Sequence, residues 1–132
     1  MIRIRPANAS DAKAIHSIVD EHARQQLLLD RPIEEITEEI DDFFVAEQDG
    51  TVIGCCQLDA YNRKLAEIRS FVVSPENRGE GAGKALVAAA LARAREKGVT
   101  EVMAITSEDA FFKRIGFGYA TPTQRRALFI KT

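Results

Sequence analysis

The sequence predicts an α/β, more strictly α+β, domain in which a mixed, mostly antiparallel sheet is flanked by helices, and three observations carry that expectation. Strand-like and helix-like segments alternate along the 132 residues without an internal repeat or a low-complexity linker. Two hairpin signals, Asp49-Gly50 and Asn62 to Lys64, join successive apolar runs, so the sheet begins antiparallel. The stretch VVSPENRGEGAGKAL, Val72 to Leu86, then passes from a β-branched run through Gly79, Gly81 and Gly83 into an alanine-rich helix. A helical crossover of that kind returns the next strand parallel to the one before it. At 45% hydrophobic, residues 1–132 read as one domain with a sizeable core.

Each element has a local reason. Ile2 and Ile4, stopped at Pro6, make a short first strand. Ser10 and Asp11 read as the N-cap and first turn of a helix that carries Ile15, Ile18, Val19 and His22 on one face and fades near Gln25. Pro32 at the first position opens a second helix with Ile33, Ile36 and Ile40 inward, while Glu34, Glu35, Glu38 and Glu39 read as a solvated face. FFVAEQ and TVIGCCQLDAY are the strands around Asp49-Gly50, and Leu65 to Val73 is the next. A period of two puts Glu67, Arg69, Phe71 and Val73 on one face of that strand and Ala66, Ile68, Ser70 and Val72 on the other. Beyond the glycines, Val87, Ala90, Leu91 and Ala94 form a helical stripe closed by Lys97 and Gly98. Val102 to Thr106 is the parallel strand. Ser107, Glu108 and Asp109 open a short helix with Phe111, Phe112 and Ile115, ended by Gly116, and Phe117 to Thr132 supplies one or two strands.

Charge and composition narrow the function classes. A net charge of −2 with a pI near 5.7 gives no global pull toward nucleic acid or anionic lipid. MIRIRPANAS holds no apolar run of signal-peptide length, and no segment reaches the roughly 20 apolar residues that span a bilayer. The expectation is a cytoplasmic protein with neither a nucleic-acid nor a membrane partner. Cys55 and Cys56 are neighbours, which suits buried strand thiols rather than a cross-link or a zinc site. His16 and His22 alone do not make a metal site, so no metal is expected.

The glycine loop is best defined by what it is not. A Walker loop needs four residues between its glycine and the Gly-Lys pair, then Ser or Thr for magnesium. Three residues separate Gly79 from Gly83, and Ala85 follows Lys84. A dinucleotide fingerprint started at Gly79 or Gly81 meets Lys84 or Leu86 where its third glycine belongs. A strand, a glycine-rich turn and a helix N-terminus remain, an arrangement whose unpaired N–H groups and dipole favour a phosphate or pyrophosphate.

Arg78-Gly79-Glu80-Gly81-Ala82-Gly83 matches the pattern (Gln or Arg)-x-x-Gly-x-(Gly or Ala), and FFKRIGF matches aromatic-x-x-x-Gly-Phe. From Ile2 to about Tyr119 the chain thereby resembles the GNAT superfamily of acetyl-CoA-dependent N-acetyltransferases. The resemblance implies a central pair of parallel strands that splay apart. It implies that backbone amides from Arg78 to Gly83 hold the coenzyme A pyrophosphate, with the Arg78 and Lys84 side chains as further candidate contacts. The main chain through Phe71, Val72 and Val73 would pair with the pantetheine arm, against which Phe112 packs. Glu67 falls where several family members carry a general base; its other reading is an ion pair with Arg69. Many members place a tyrosine proton donor where this chain has Phe112, which leaves Tyr119, Ser107 or water for that task. An acetyl-cysteine route through Cys55 or Cys56 is the competing mechanism.

LLLDRPIEEI, DFFVAEQDGTVIGCC, AEIRSFVVSPENRGEGAGKAL and TSEDAFFKRIGF are further similar to the acetyltransferase domain of N-acetylglutamate synthases, over roughly Leu27 to Phe117. This implies a small amino acid acceptor such as glutamate, with Arg31 near its carboxylate and Arg69, Ser70, Arg125 and Arg126 as further acceptor candidates. The tail after Gly116 is shorter than in those enzymes. A protein N-terminal or lysine acetyltransferase, an acyl-CoA sensor without turnover, and a homodimer that exchanges its carboxy-terminal strand stay open.

Overall fold

The computed structural model describes residues 1–25, 30–106, 108–119 and 130. Strands β1 (Ile2–Pro6), β2 (Phe43–Gln48), β3 (Thr51–Ala60), β4 (Leu65–Val73) and β5 (Glu101–Ala104) make one sheet in chain order. Pairing is antiparallel from β1 to β4 and parallel between β4 and β5. Helices α1 (Ala12–Arg24) and α2 (Ile33–Glu38) cover one face, where Ile15, Val19 and Ile36 pack on Phe43, Val45, Cys55 and Val72. Helix α3 (Ala82–Glu96) crosses the other, burying Leu86, Val87 and Ala90 on Phe44, Cys56, Leu58, Ala66 and Ile68. A fully buried Leu86 contributes about 1.5–3 kcal/mol to that docking. A short α4 (Asp109–Arg114) adds Phe112 to the same side.

Most boundaries follow the expected local chemistry, with differences that have physical causes. Asp49 (φ 51°) and Gly50 (φ 79°) form the hairpin turn. The capping box belongs to a 3-10 turn, Ala9–Asp11, that leads into α1: the Asn8 side chain accepts from the Ser10 amide at 3.0 Å, and Asp11, the residue before α1, accepts from the Asn8 amide at 2.8 Å. Arg5 donates to both oxygens of Asp11, at 2.7 and 3.0 Å, and this holds the carboxyl below its ordinary range. Pro32 stands one place before α2, and β5 begins at Glu101. The strands expected after Phe117 fall mainly on residues 120–129, 131 and 132, outside the described residues.

One expectation fails in β4, where Ser70 takes φ 51° and the register with β3 slips by one residue between Cys55 and Gln57. This is a β-bulge, and it inverts the alternation beyond it. Phe71 and Val73 therefore join Ala66 and Ile68 on the α3 face, whereas Val72 faces α1. Glu67 and Arg69 do not share a face with Phe71 and Val73. Nothing in the local residue types marks Ser70, because glycine is the residue that signals a positive φ.

Candidate active site

The parallel pairing of β4 with β5 runs only from Leu65–Glu101 to Ile68–Ala104. Beyond it β4 continues to Val73, while Ile105, the residue after β5, is 71% exposed. Among the described residues the two strands thus part next to the Ser70 bulge.

The glycine loop lies at the end of this opening. Gly79 (φ 83°) and Gly81 (φ 89°) need their glycines for backbone conformation, and a Cβ on either would meet no atom within 4 Å. The space in front of them is open. Gly83 is different: a Cβ there would stand 3.1 Å from the Phe71 ring and 3.3 Å from Phe111. Gly81 caps α3, whose ladder starts with Ala85 N donating to Gly81 O at 3.1 Å. The amides of Ala82, Gly83 and Lys84 therefore precede the ladder and carry the positive end of a 15-residue helix dipole. The exposed side chains of Glu80 and Lys84 flank that start. Arg78 turns back instead, its Nε 3.4 Å from Val73 O and its Nη2 3.2 Å from His22 Nε2. Phe111 stacks on Phe71 at 5.2 Å, while Phe112 is buried edge-on among Phe71, Phe111 and Phe117. It is Phe111, more than Phe112, that borders the loop.

On the α2 side of the sheet Glu67 accepts a hydrogen bond from the Tyr61 hydroxyl, and this bond pushes the phenol up to about 12. Glu67 lies across from Asp59. Arg69 pairs with Asp59 at 3.1 Å and approaches Glu35 at 3.9 Å, so its partner is not Glu67.

Arg31 is buried rather than on the surface, and its guanidinium is held by neighbouring side chains. It is 4% exposed, and each of its three guanidinium nitrogens donates at least one hydrogen bond. Nε and Nη2 grip Glu35 at 2.7 and 2.6 Å, Nη2 reaches Glu39 at 3.3 Å, and Nη1 donates to Gln57 and to the Ser70 hydroxyl, the latter at 2.9 Å. The acidic run of α2 is correspondingly split, with Glu34 and Glu38 exposed and Glu35 and Glu39 turned in. Gln57, Tyr61 and Asp59 are members of this cluster that the sequence reading missed. Gln57, wholly buried within an apolar strand, carried a readable sign of a polar partner.

The remaining candidates stand apart. The Tyr119 hydroxyl donates to Asp109 at 2.8 Å, and Lys113 Nζ sits 4.1 Å from its ring centre. Ser107, Arg125 and Arg126 lie outside the described residues. Cys55 and Cys56 are buried free thiols; burial pushes Cys55 up to about 12 and Cys56 higher, which removes the thiolate an acetyl-cysteine route requires. Among the described residues no group of three His, Cys, Asp or Glu forms a candidate metal site, and no helix is long and apolar enough to cross a membrane.

Residues 9–117 match the profile of the Acetyltransferase (GNAT) family. An uncharacterized N-acetyltransferase of Chlorobaculum tepidum is 46% identical over 114 residues, covering 86% of this chain and 74% of that one. An amino-acid acetyltransferase of Mycobacterium tuberculosis is 37% identical over 117 residues, covering 86% and 67%. Among solved structures, a Mycobacterium tuberculosis protein in complex with CoA and NLQ superposes with a TM-score of 0.85 at 35% identity, covering 90% of this chain and 73% of that one. N-acetylglutamate synthase from Neisseria gonorrhoeae, complexed with coenzyme A and N-acetyl-glutamate, has a TM-score of 0.86 at 28% identity; 95% of this chain matches 30% of that protein.

Proposed function

This chain belongs to the Acetyltransferase (GNAT) family, an acetyl-CoA-dependent N-acetyltransferase, and on that premise we propose that the amine it acetylates is that of a small amino acid, glutamate first. The observation that carries this reading is the parting of β4 from β5 beyond Ile68 and Ala104, with a glycine loop and helix start at one end and a carboxylate-guanidinium cluster beside it.

The loop suits a pyrophosphate: open space fronts Gly79 and Gly81, and three first-turn amides point out of the helix. Arg78 to Gly83 and Lys84 would hold that group, and the main chain from Phe71 to Val73 would hold the pantetheine arm. Bound acetyl-CoA would supply the thioester: as the N–C bond forms and the C–S bond breaks, the nitrogen gives its second proton to water and the sulfur leaves as a thiolate of pKa about 8.5 that takes a proton back from water. The acceptor arrives as an ammonium ion and must lose a proton first. Glu67 takes it, directly or through a water, with Oε2 because Tyr61 occupies Oε1. Arg69, with its side chain 32% exposed, is the guanidinium of this cluster that an acceptor carboxylate reaches.

Among the described residues that face carries Glu35, Glu39, Asp59 and Glu67 against Arg31 and Arg69. This excess of carboxylates draws in an ammonium group, and it supports a second reading in which the acceptor is a lysine or a peptide amino terminus. Thiol release from acetyl-CoA with glutamate, glutamine, polyamines and short peptides separates the two. Glutamate is expected to turn over fastest; preference for peptides or polyamines overturns the amino-acid reading and leaves acetyl transfer intact.

A further inference from the structure

We propose that Arg31 is a positioning residue for acetyl transfer: through the Ser70 hydroxyl it holds the left-handed bulge that puts Phe71 and Val73 on the α3 face of β4. The inference rests on the reading that the reaction takes place where β4 and β5 part.

Ser70 has a Cβ and a φ of 51°, a conformation that a serine does not hold without help. The Ser70 carbonyl accepts from Cys55 Sγ at 3.4 Å, and the Ser70 side chain is held by Arg31. Arg31 Nη1 donates to the Ser70 hydroxyl at 2.9 Å and also to Gln57, which lies opposite Arg69, the residue just before the bulge. One nitrogen thereby ties both strands at the point where their register slips. The guanidinium cannot swing away, because its other edge is clamped by Glu35 at 2.7 and 2.6 Å, and Glu39, which takes Nη2, is itself tied to Gln57 Nε2 at 2.7 Å. Helix α2 supplies both glutamates or their flank, so the brace runs from helix to sheet. The bulge lies two residues past the last β4–β5 pair, Ile68–Ala104. Losing its phase by one residue turns Phe71 and Val73 to the wrong face and misplaces the main chain that meets the coenzyme.

Three variants test this, each checked for folding by thermal unfolding. Ser70→Ala removes the hydroxyl and keeps the Cβ; Ser70→Gly also removes the hydroxyl but is at ease at positive φ. Positioning predicts that kcat falls roughly tenfold or more in Ser70→Ala with the acceptor KM little changed, and that Ser70→Gly recovers most of the loss. Equal losses in both, with a raised acceptor KM, would mean that the hydroxyl touches the acceptor and would overturn the proposal. Arg31→Lys should lower kcat in the Ser70 parent and much less in the Ser70→Gly background, since the glycine no longer needs the brace. An equal rise of acceptor KM in both backgrounds would make Arg31 a carboxylate ligand instead. Should Arg31→Lys not fold, the Ser70 pair decides alone. Coenzyme A affinity, measured by calorimetry on the same variants, keeps the test independent of the acceptor: weaker binding in Ser70→Ala than in Ser70→Gly supports the brace, and equal binding in the two refutes it.

Discussion

The carboxylate of Glu67 does two things that can be measured separately. It is the candidate base, and it accepts the Tyr61 hydroxyl hydrogen bond that raises that phenol to about 12. Glu67→Gln is expected to lower turnover roughly 10²-fold. In a Tyr119→Phe background, where Tyr61 is the one remaining tyrosine, the same change should bring the phenol's ultraviolet titration back toward its ordinary value. The sign for stability follows from the raised folded value. Tyr61 favours the fold fully below its unfolded pKa of about 10, and this is lost as pH rises through about 12, so Tyr61→Phe should flatten the alkaline fall in unfolding temperature. Unchanged turnover and an unchanged phenol titration would leave Glu67 with no part in either. The position of Glu67 was readable from the strand that leads into the glycine loop. Its partner was not, since Tyr61 belongs to a hairpin end whose side-chain direction depends on register.

At the level of the element, α3 and its loop were the most legible part of the chain, because glycine spacing, alanine content and the Lys97-Gly98 stop all act locally. What the local pattern did not separate is the reason for each glycine. Gly81 is required by φ 89° and Gly83 by the Phe71 and Phe111 rings. Gly81→Val and Gly83→Val should both weaken coenzyme A binding sharply in calorimetry, the first by straining the cap and the second by displacing rings that border the loop. Undiminished affinity in both folded variants would move the coenzyme elsewhere. The acidic face of α2 was misread for a related reason: Glu35 and Glu39 are four residues apart and look solvated until Arg31 is placed beneath them. Arg31 is the buried end of this network and the two glutamates its part-exposed end, a division of which the i, i+4 spacing alone gave no sign.

For the whole molecule, strand identity, hairpins and the parallel crossover could be read from periodicity and turn chemistry, whereas the bulge at Ser70 and the network beneath it arise from contacts between segments distant in sequence. The same distance in sequence governs β5. β2, β3 and β4 are joined by short hairpins, but β5 reaches β4 only after α3 and meets it through four residue pairs. Among the described strands it is consequently the one with the fewest pairs to lose on opening, and local unfolding of the sheet should begin there. Amide hydrogen exchange at Val102 and Met103 is expected to outpace that at Cys55 and Leu58, the inner residues of β3. A coenzyme that bridges the gap binds only the closed form and should slow the β5 amides selectively as its concentration rises. Selective slowing of that kind would make the cleft wall a flap held shut by its own substrate.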